Sequence, residues 1–315
     1  MAEIIKCATR DAYGKALATL GNERDDILVL DADLAAATKT GVFKKAHPDK
    51  FIDCGIAEGN MMGIAAGLAT TGYTVFASSF AMFSAGRACE QVRNSIAYPA
   101  LNVKIGATHA GISVGEDGAS HQCCEDIALM RVIPNMVIIN PADDIEAQQA
   151  VFAAVEHDGP VYMRFGRLAV PRINSEDYKF ELGKGVTLRD GKDVTIVATG
   201  LMVNEALIAA DSLKEEGIDA RVINIHTIKP IDKEILIKAA KETGAIVTAE
   251  EHSVIGGLGG AVTEVLCENY PVPVVKLGVY DTFGKSGPAV ELLKIFGLDA
   301  ENIAKKAKEA LALKK

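Results

Sequence analysis

The sequence lacks tryptophan and is poor in aromatic residues, which make up 5% of its 315 positions. Hydrophobic residues account for 49% of the chain and charged residues for 24%, so it can bury a large core. This composition is typical of a globular α/β protein and argues against intrinsic disorder. A chain of this length exceeds what one core usually organises, so we expect two domains.

Signals for several classes of partner are also absent. The 33 lysines and arginines against 42 aspartates and glutamates give a net charge of −9, and no basic block is present to bind a phosphate backbone. The amino terminus has no apolar signal core, and no stretch approaches about 18 consecutive apolar residues. We therefore expect no nucleic acid partner, no membrane association and a cytoplasmic location.

The cysteines form no recognisable framework. They include no CxxC pair, and no histidine stands at the spacing of a metal site. The six are Cys7, Cys54, Cys89, Cys123, Cys124 and Cys267. We expect reduced, mostly buried thiols and no metal site built by this chain.

Short β-branched runs alternate with helical patterns of about 10 to 15 residues, which is typical of βαβ units around a parallel sheet. The predicted strands are 27–31, 51–54, 73–77, 102–106, 136–140, 160–165, 193–198, 219–225, 245–249 and 273–278. Proline, glycine and mixed charges interrupt this rhythm at 171–185. We predict an α/β fold with a first domain at 1–175, a linker at 176–190 and a smaller second domain at 191–315.

The stretch GIAEGNMMGIAAGLA at 55–69 contains one charged side chain, Glu58. One interpretation is a carboxylate in the first turn of a helix, where the dipole stabilises it by about 0.3 to 1 kcal/mol. However, the stretch has no lysine or arginine, and Gly63 and Gly67 leave a smooth face for close packing. A desolvated carboxyl without a cation binds a proton or a ligand group that shares one. We expect Glu58 to be buried, without a cationic neighbour, and to bind a ligand.

A second polar cluster lies in ATHAGISVGEDGASHQ at 107–122, directly after a predicted strand. It brings His109, Glu116, Asp117 and His121 to the carboxyl end of that strand, where open α/β sheets bind ligands. Such groups exchange protons near neutral pH. The alternative interpretation is a polar surface loop that turns at Asp117.

Two further pairs have both a structural and a functional interpretation. Phe80 and Phe83 are spaced as core residues or as a stacking wall for a flat ring. Arg10 and Arg164 interrupt apolar or small surroundings, so each is either a structural ion-pair partner or a phosphate ligand.

Together these stretches resemble the carboxyl-terminal half of transketolase, from about Ala8 to the end of the chain. The motifs ATR, DADL, GIAEGNMMGIAAGLA, SSFAMF and THAGISVGEDGASHQ have the order and spacing of that family's pyrimidine-binding domain. The tail motifs AEEHSVIGGLGGAVTEVL and DTFGKSGPAVELL resemble its carboxyl-terminal domain. The resemblance implies a parallel-sheet pyrimidine-binding domain followed by a smaller α/β domain. It also implies transfer of a two-carbon ketol unit between sugar phosphates with thiamine diphosphate.

The resemblance assigns cofactor contacts to four residues. Glu58 matches the catalytic glutamate that hydrogen-bonds a ring nitrogen of the cofactor's aminopyrimidine and promotes formation of its nucleophile. Phe80 and Phe83 match the residues that wall the pyrimidine ring. Leu34 matches the bulky residue that keeps the cofactor bent.

The resemblance assigns sugar contacts to five more residues. His109, Asp117 and His121 match the groups that hold the sugar, and the two histidines also match its proton-exchanging catalytic residues. Arg10 and Arg164 match the arginines that bind the terminal phosphate.

Three positions depart from the family pattern. Gly86 replaces a usual aromatic of the ring wall, Ala110 replaces a usual acidic residue after the first loop histidine, and Ala37 replaces a serine that contributes to phosphate binding. These departures weaken the expected contacts at the ring wall, the sugar and the phosphate.

The sequence contains no GDG motif followed by asparagines, with which such enzymes hold a divalent cation and the cofactor's diphosphate. An acidic chain without a metal binds a diphosphate poorly. We therefore expect an inactive single chain and an amino-terminal partner subunit that holds Mg²⁺ or Ca²⁺. Self-association through the pyrimidine domain implies an α₂β₂ assembly. The alternatives are a deoxyxylulose-phosphate synthase-like subunit, a catabolic transketolase for a branched or unusual sugar, a 2-oxoacid dehydrogenase beta chain and a non-catalytic binding or regulatory subunit.

Overall fold

The computed structural model describes residues 5–314, which form two main β-sheets with helices packed against them. The strands are β1 (Lys6–Ala8), β2 (Ile27–Asp31), β3 (Phe51–Asp53), β4 (Thr74–Phe80), β5 (Val103–Thr108), β6 (Val137–Ile139), β7 (Val161–Arg164), β8 (Ala169–Pro171), β9 (Val186–Arg189), β10 (Val194–Ala198), β11 (Ala220–Asn224), β12 (Thr227–Lys229), β13 (Ile246–Ser253) and β14 (Val274–Val279). The α-helices are α1 (Thr9–Glu23), α2 (Ala35–Thr38), α3 (Gly41–Ala46), α4 (Glu58–Ala69), α5 (Cys89–Gln91), α6 (Asp126–Arg131), α7 (Asp144–Glu156), α8 (Met202–Glu215), α9 (Lys233–Thr243), α10 (Leu258–Asn269), α11 (Ala289–Ile295) and α12 (Ala300–Ala312).

The first sheet has the strand order β12-β6-β7-β5-β4-β2-β3. Its strands from β6 to β3 pair in parallel, as in the register Val75 opposite Val103. Every residue of β4 and β5 is buried, because helices cover both faces of a parallel sheet. The predicted parallel-sheet α/β fold is confirmed.

The second sheet has the order β14-β13-β10-β11-β9, with β9 antiparallel at one edge. All ten strands predicted from the sequence are present, although β4, β5, β13 and β14 extend beyond the predicted carboxyl ends.

The two halves of the chain are interlocked. β12, which follows β11 of the second sheet, pairs antiparallel with β6 of the first sheet. One hydrophobic cluster runs through both halves and includes Val103, Ile138, Ile223 and Leu258. β9 lies inside the segment predicted as a linker at 176–190, and the domain bounds themselves stay a prediction.

The local sequence explains several helix ends. Asp143, Asp232 and Asp299 precede α7, α9 and α12, and their carboxylates accept hydrogen bonds from backbone N–H groups of the first turns. The segment after β4 is irregular, with π-helical turns at Met82–Arg87 and Val92–Ala97 on either side of α5. Such wide turns are frequent at functional sites.

The six cysteines differ in exposure. All six thiols are free, but Cys123 alone is buried, Cys267 is exposed and the other four are intermediate, so the prediction of mostly buried thiols is wrong. Within residues 5–314, no helix combines the length and apolar character needed to cross a membrane.

Candidate active site

The predicted site residues gather at one edge of the first sheet. β7, β5, β4, β2 and β3 are successive neighbours that run in parallel, so their carboxyl ends meet at the same edge. Leu34 follows β2, Glu58 follows β3, Phe80 ends β4 and His109 follows β5. A parallel sheet therefore brings together residues that are far apart in the chain.

Glu58 is 1% exposed and begins α4. Its Oε2 accepts a hydrogen bond from Arg87 Nη1 at 2.7 Å, and its Oε1 accepts one from Ser79 Oγ at 3.4 Å. Burial is as predicted, but the prediction that no cation neighbours Glu58 is wrong. Arg87 comes from the π-helical turn after β4, 29 positions along the chain, where local spacing gives no warning of the contact.

Arg87 is the solvent-exposed partner of this ion pair. Its side chain is 52% exposed, and its guanidinium lies 4.5 Å from the centroid of the Phe83 ring. A half-exposed arginine keeps access to water and to other rotamers, so this ion pair can open without breaking the core.

Aromatic rings line the cleft beside Glu58. Phe80 and Phe83 have centroids 6.0 Å apart and planes within 14° of each other. The Phe80 ring also stacks on His109 at 3.8 Å, and the edge of His121 meets Phe83 at 5.3 Å. The structure thus brings the two predicted ring-wall residues and both predicted catalytic histidines into one cluster.

The electrostatic environment of His109 is strongly positive. Its pKa is lowered to about 3, mainly by burial and in addition by the neighbouring cations Arg10, Arg167 and Lys39. Arg10 Nη1 donates to His109 Nε2 at 2.8 Å, so Nδ1 carries the proton and donates to Thr108 Oγ1 at 2.9 Å. His109 is a neutral imidazole near pH 7, with its tautomer set by these two partners.

Arg167 is a site residue that the sequence analysis missed. It lies three residues beyond β7, where Nη1 donates to Val114 O and lies 3.7 Å from Asp117 Oδ2 and 3.4 Å from Glu116 Oε2. The sequence YMRFGR contains both arginines. Arg164 is the last residue of the strand, whereas Arg167 lies beyond its end, and this position is the signal that could have identified Arg167 as the site residue.

Arg164 occupies a different environment from its predicted one. It is 4% exposed, its Nε donates to Asp126 Oδ2 at 2.8 Å, and its Nη2 donates to the Glu251 and Cys123 carbonyls. Two of its three side-chain nitrogens therefore already bind partners within the protein. This environment favours the structural ion pair over the phosphate ligand, the two interpretations that the sequence allowed.

The loop that carries Leu34 is held by a buried aspartate. Asp31 accepts from Leu34 N at 2.6 Å, from Thr38 Oγ1 at 2.7 Å and from Thr40 Oγ1 at 2.8 Å. Burial raises the pKa of Asp31 to about 6, although these hydrogen bonds stabilise the ionised form and lower the pKa. The same loop meets Arg10, whose Nη1 donates to Ala37 O at 3.0 Å.

These residues fit one half of a thiamine cofactor. Glu58 offers a buried carboxylate to a heterocyclic nitrogen, and Phe80 and Phe83 offer ring faces beside it. In contrast, the described part of the chain brings together no group of three histidine, cysteine or acidic side chains that could hold a metal ion. The fit is to the aminopyrimidine rather than to a metal-bound diphosphate.

Fold and site together define an α/β protein that presents a buried glutamate and aromatic rings at the carboxyl edge of a parallel sheet. Residues 5–172 match the family "Transketolase, pyrimidine binding domain", and residues 183–303 match "Transketolase, C-terminal domain". The chain belongs to the transketolase family, and the resemblance to its carboxyl-terminal part is confirmed.

Three known proteins illustrate the relationship. A Methanocaldococcus jannaschii protein described as "Putative transketolase C-terminal section" is 54% identical over 96% of both chains. A 6-deoxy-6-sulfo-D-fructose transketolase subunit from a Clostridium species is 47% identical over 95% of this chain and 93% of its own. A solved structure described as a split gene transketolase, inactive beta4 tetramer, superimposes with a TM-score of 0.92 at 57% identity, covering 98% of this chain and 99% of its own.

Proposed function

We propose that this chain is the carboxyl-terminal subunit of a two-chain transketolase that transfers a two-carbon ketol unit between sugar phosphates. The observation that carries this proposal is Glu58, a carboxylate that is 1% exposed beside Phe80, Phe83 and two histidines. Thiamine diphosphate, when bound, supplies the carbon nucleophile for such a transfer. The chain's own residues would bind, orient and exchange protons.

Glu58 would hold a ring nitrogen of the aminopyrimidine, with Arg87 displaced from Oε2. His109 and His121 would face the sugar's hydroxyl and carbonyl groups and would exchange protons with them. Leu34 would support the bent cofactor from the adjacent loop. Asp117 would bind a sugar hydroxyl from the loop after β5.

The terminal anion of the sugar would bind at Arg10 and Arg167, with Lys39 nearby. Each of these three cations lowers the pKa of His109, so all three lie near this imidazole. Planar guanidinium groups match the geometry of a phosphate through two parallel hydrogen bonds.

A partner subunit would supply the diphosphate and metal site, with Mg²⁺ or Ca²⁺. One face of α4 is available for such an assembly, because a Cβ at Gly63 or Gly67 would meet no atom within 4 Å in residues 5–314 apart from the backbone of α4 itself. The inactive beta tetramer of the similar split-gene protein supports partner dependence. We propose an α₂β₂ assembly in which the cofactor lies between unlike chains.

Reconstitution tests the proposal. The chain is mixed with an amino-terminal transketolase subunit, thiamine diphosphate and Mg²⁺, and is assayed with xylulose 5-phosphate and ribose 5-phosphate. Activity is expected only in the complete mixture. Activity of this chain alone would refute partner dependence, and an inactive mixture whose subunits assemble would refute this reaction.

A sulfonated sugar is a second candidate substrate. The Clostridium relative, at 47% identity, is a 6-deoxy-6-sulfo-D-fructose transketolase subunit, and arginines bind a sulfonate as they bind a phosphate. The reconstituted enzyme is therefore assayed with 6-deoxy-6-sulfofructose as well as fructose 6-phosphate. A higher kcat/KM for the sulfonate would favour this alternative.

A further inference from the structure

The second half of the chain reaches into the loop that carries the proposed sugar ligands. Glu251 of β13 is 4% exposed, and its Oε1 accepts a hydrogen bond from the backbone N–H of Ser113 at 2.6 Å. Gly111, with a φ of +79°, packs so closely on this carboxylate that any side chain there would overlap it. Glu251 therefore binds the loop backbone directly, just after His109.

A second contact fixes the far end of the same loop. Gln122 follows His121, and its Nε2 donates to Ile112 O at 3.0 Å and to Lys285 O at 2.9 Å. Gly284 leaves the space that the Gln122 amide occupies, and Gly118 packs on Ser286. The loop is thus held at both ends by segments of the second domain.

Without these contacts the loop would have unusual freedom. Gly111, Gly115 and Gly118 all have positive φ, and glycine gives up more backbone entropy on ordering than any other residue. The regular structure within the loop is one short 3₁₀ turn, Ile112–Val114. Backbone hydrogen bonds within the loop, such as His121 N–H to Gly118 O at 3.0 Å, form local turns, and the external hydrogen bonds place these turns relative to the rest of the protein.

Arg164 binds the backbone of Glu251. Its Nη2 donates to the Glu251 carbonyl at 2.9 Å, while its Nε is paired with Asp126. A buried ion pair of the first domain thereby fixes the backbone of the residue whose side chain holds the loop.

We propose that Glu251 and Gln122 are positioning residues through which the second domain orders the sugar-binding loop, 109–122. This inference rests on the proposed function for its kinetic consequence. It assigns the second domain a part in substrate binding.

The first test measures the loop itself in the full chain, without a partner subunit. In the Glu251→Ala variant, amide hydrogen exchange at Ser113 and across the loop is expected to rise about tenfold. The Glu251→Gln variant, whose amide oxygen still accepts the Ser113 bond, should restore most of the protection. Glu250→Ala is the matched control, because this neighbouring buried carboxylate binds Leu258 N and Gly259 N instead of the loop.

The second test uses the reconstituted enzyme. The Glu251→Ala and Gln122→Ala variants should raise the KM for the sugar donor about tenfold while the Kd for thiamine diphosphate changes less than about twofold. Glu250→Ala should leave the ratio of the sugar KM to the thiamine diphosphate Kd unchanged, because a general loss of stability weakens the binding of both ligands alike.

The two tests fail in distinguishable ways. Unchanged loop exchange in Glu251→Ala overturns the positioning role, whatever reaction the enzyme catalyses. A loosened loop with equal losses of sugar and cofactor binding, or with no change in sugar KM, also overturns it. If the reconstituted wild type lacks transketolase activity, the proposed function fails, whereas the exchange result, measured for Gln122→Ala as well as for Glu251→Ala, still decides whether these two residues order the loop.

Discussion

The Glu58 carboxylate is held by the Arg87 guanidinium, with Oε2 and Nη1 2.7 Å apart. The acid is buried and the base is half exposed, so the pair lies at the boundary between core and cleft. A ligand nitrogen that binds Glu58 must compete with Arg87 for this oxygen. Arg87 also keeps the carboxylate from being buried without a partner in the free subunit.

A double-mutant cycle measures this pair in the isolated chain. Because Arg87 is half exposed, we expect Arg87→Met and Glu58→Gln to show a coupling of about 1 kcal/mol in the free energy of unfolding. Urea denaturation of the two single variants and the double variant provides the value. A coupling near zero would mean that the ion pair contributes nothing to folding.

Glu58→Gln tests the proton role of the carboxylate. The glutamine side chain keeps the size of the glutamate but cannot take part in proton transfer, so kcat in the reconstituted enzyme should fall by about 10² to 10⁴. Sedimentation should show unchanged assembly with the partner subunit. A variant that retains more than about a tenth of the wild-type kcat contradicts this role.

Substitution of the arginines separates binding from structure. Arg10→Met and Arg167→Met should each raise the KM for a phosphorylated sugar about tenfold to a hundredfold, because each removes a charge-assisted hydrogen bond. The KM for the unphosphorylated sugar should change little. Arg93→Met, at an exposed arginine of the π-helical turn, is the control, and an equal effect on both sugars would contradict phosphate binding.

Arg164→Met should act on stability. Removing one partner of a buried ion pair leaves Asp126 uncompensated, so the free energy of unfolding should fall by about 3 to 5 kcal/mol. Urea denaturation measures this loss. A normal stability combined with reduced preference for phosphorylated over unphosphorylated sugar would restore Arg164 as the phosphate ligand.

Asp31 gives the stability a defined pH dependence. Because burial raises its folded-state pKa from 3.8 to about 6, the folded chain binds more protons than the unfolded chain between these values. The contribution of Asp31 to the free energy of unfolding should therefore fall as pH rises from about 4 to about 6, by on the order of 2 to 3 kcal/mol. Buried histidines with lowered pKa, such as His109, act in the opposite direction, so the contribution is measured as the difference between the wild type and Asp31→Asn at each pH. The Asp31→Asn variant should lack this decrease, and parallel curves for variant and wild type would exclude it.

Much of the fold could be read from the sequence, because β-branched runs and helical spacing are local signals. The gathering of Glu58, Phe80 and His109 also followed, since parallel strands end at one edge. Arg87 could not be anticipated, because its contact with Glu58 depends on the π-helical turn after β4. Arg164 and Arg167 differ by three positions, and only the exact end of β7 decides which one leaves the sheet.

The strand β12 links the folding of the two halves of the chain. Because it comes from the second half and completes the edge of the first sheet beside β6, the first half does not complete its own sheet. A shortened chain that ends before residue 190 would lack β12 and would leave unpaired backbone N–H and C=O groups along β6. Such an exposed strand edge is prone to self-association. Calorimetry should accordingly record a single melting event for the intact polypeptide.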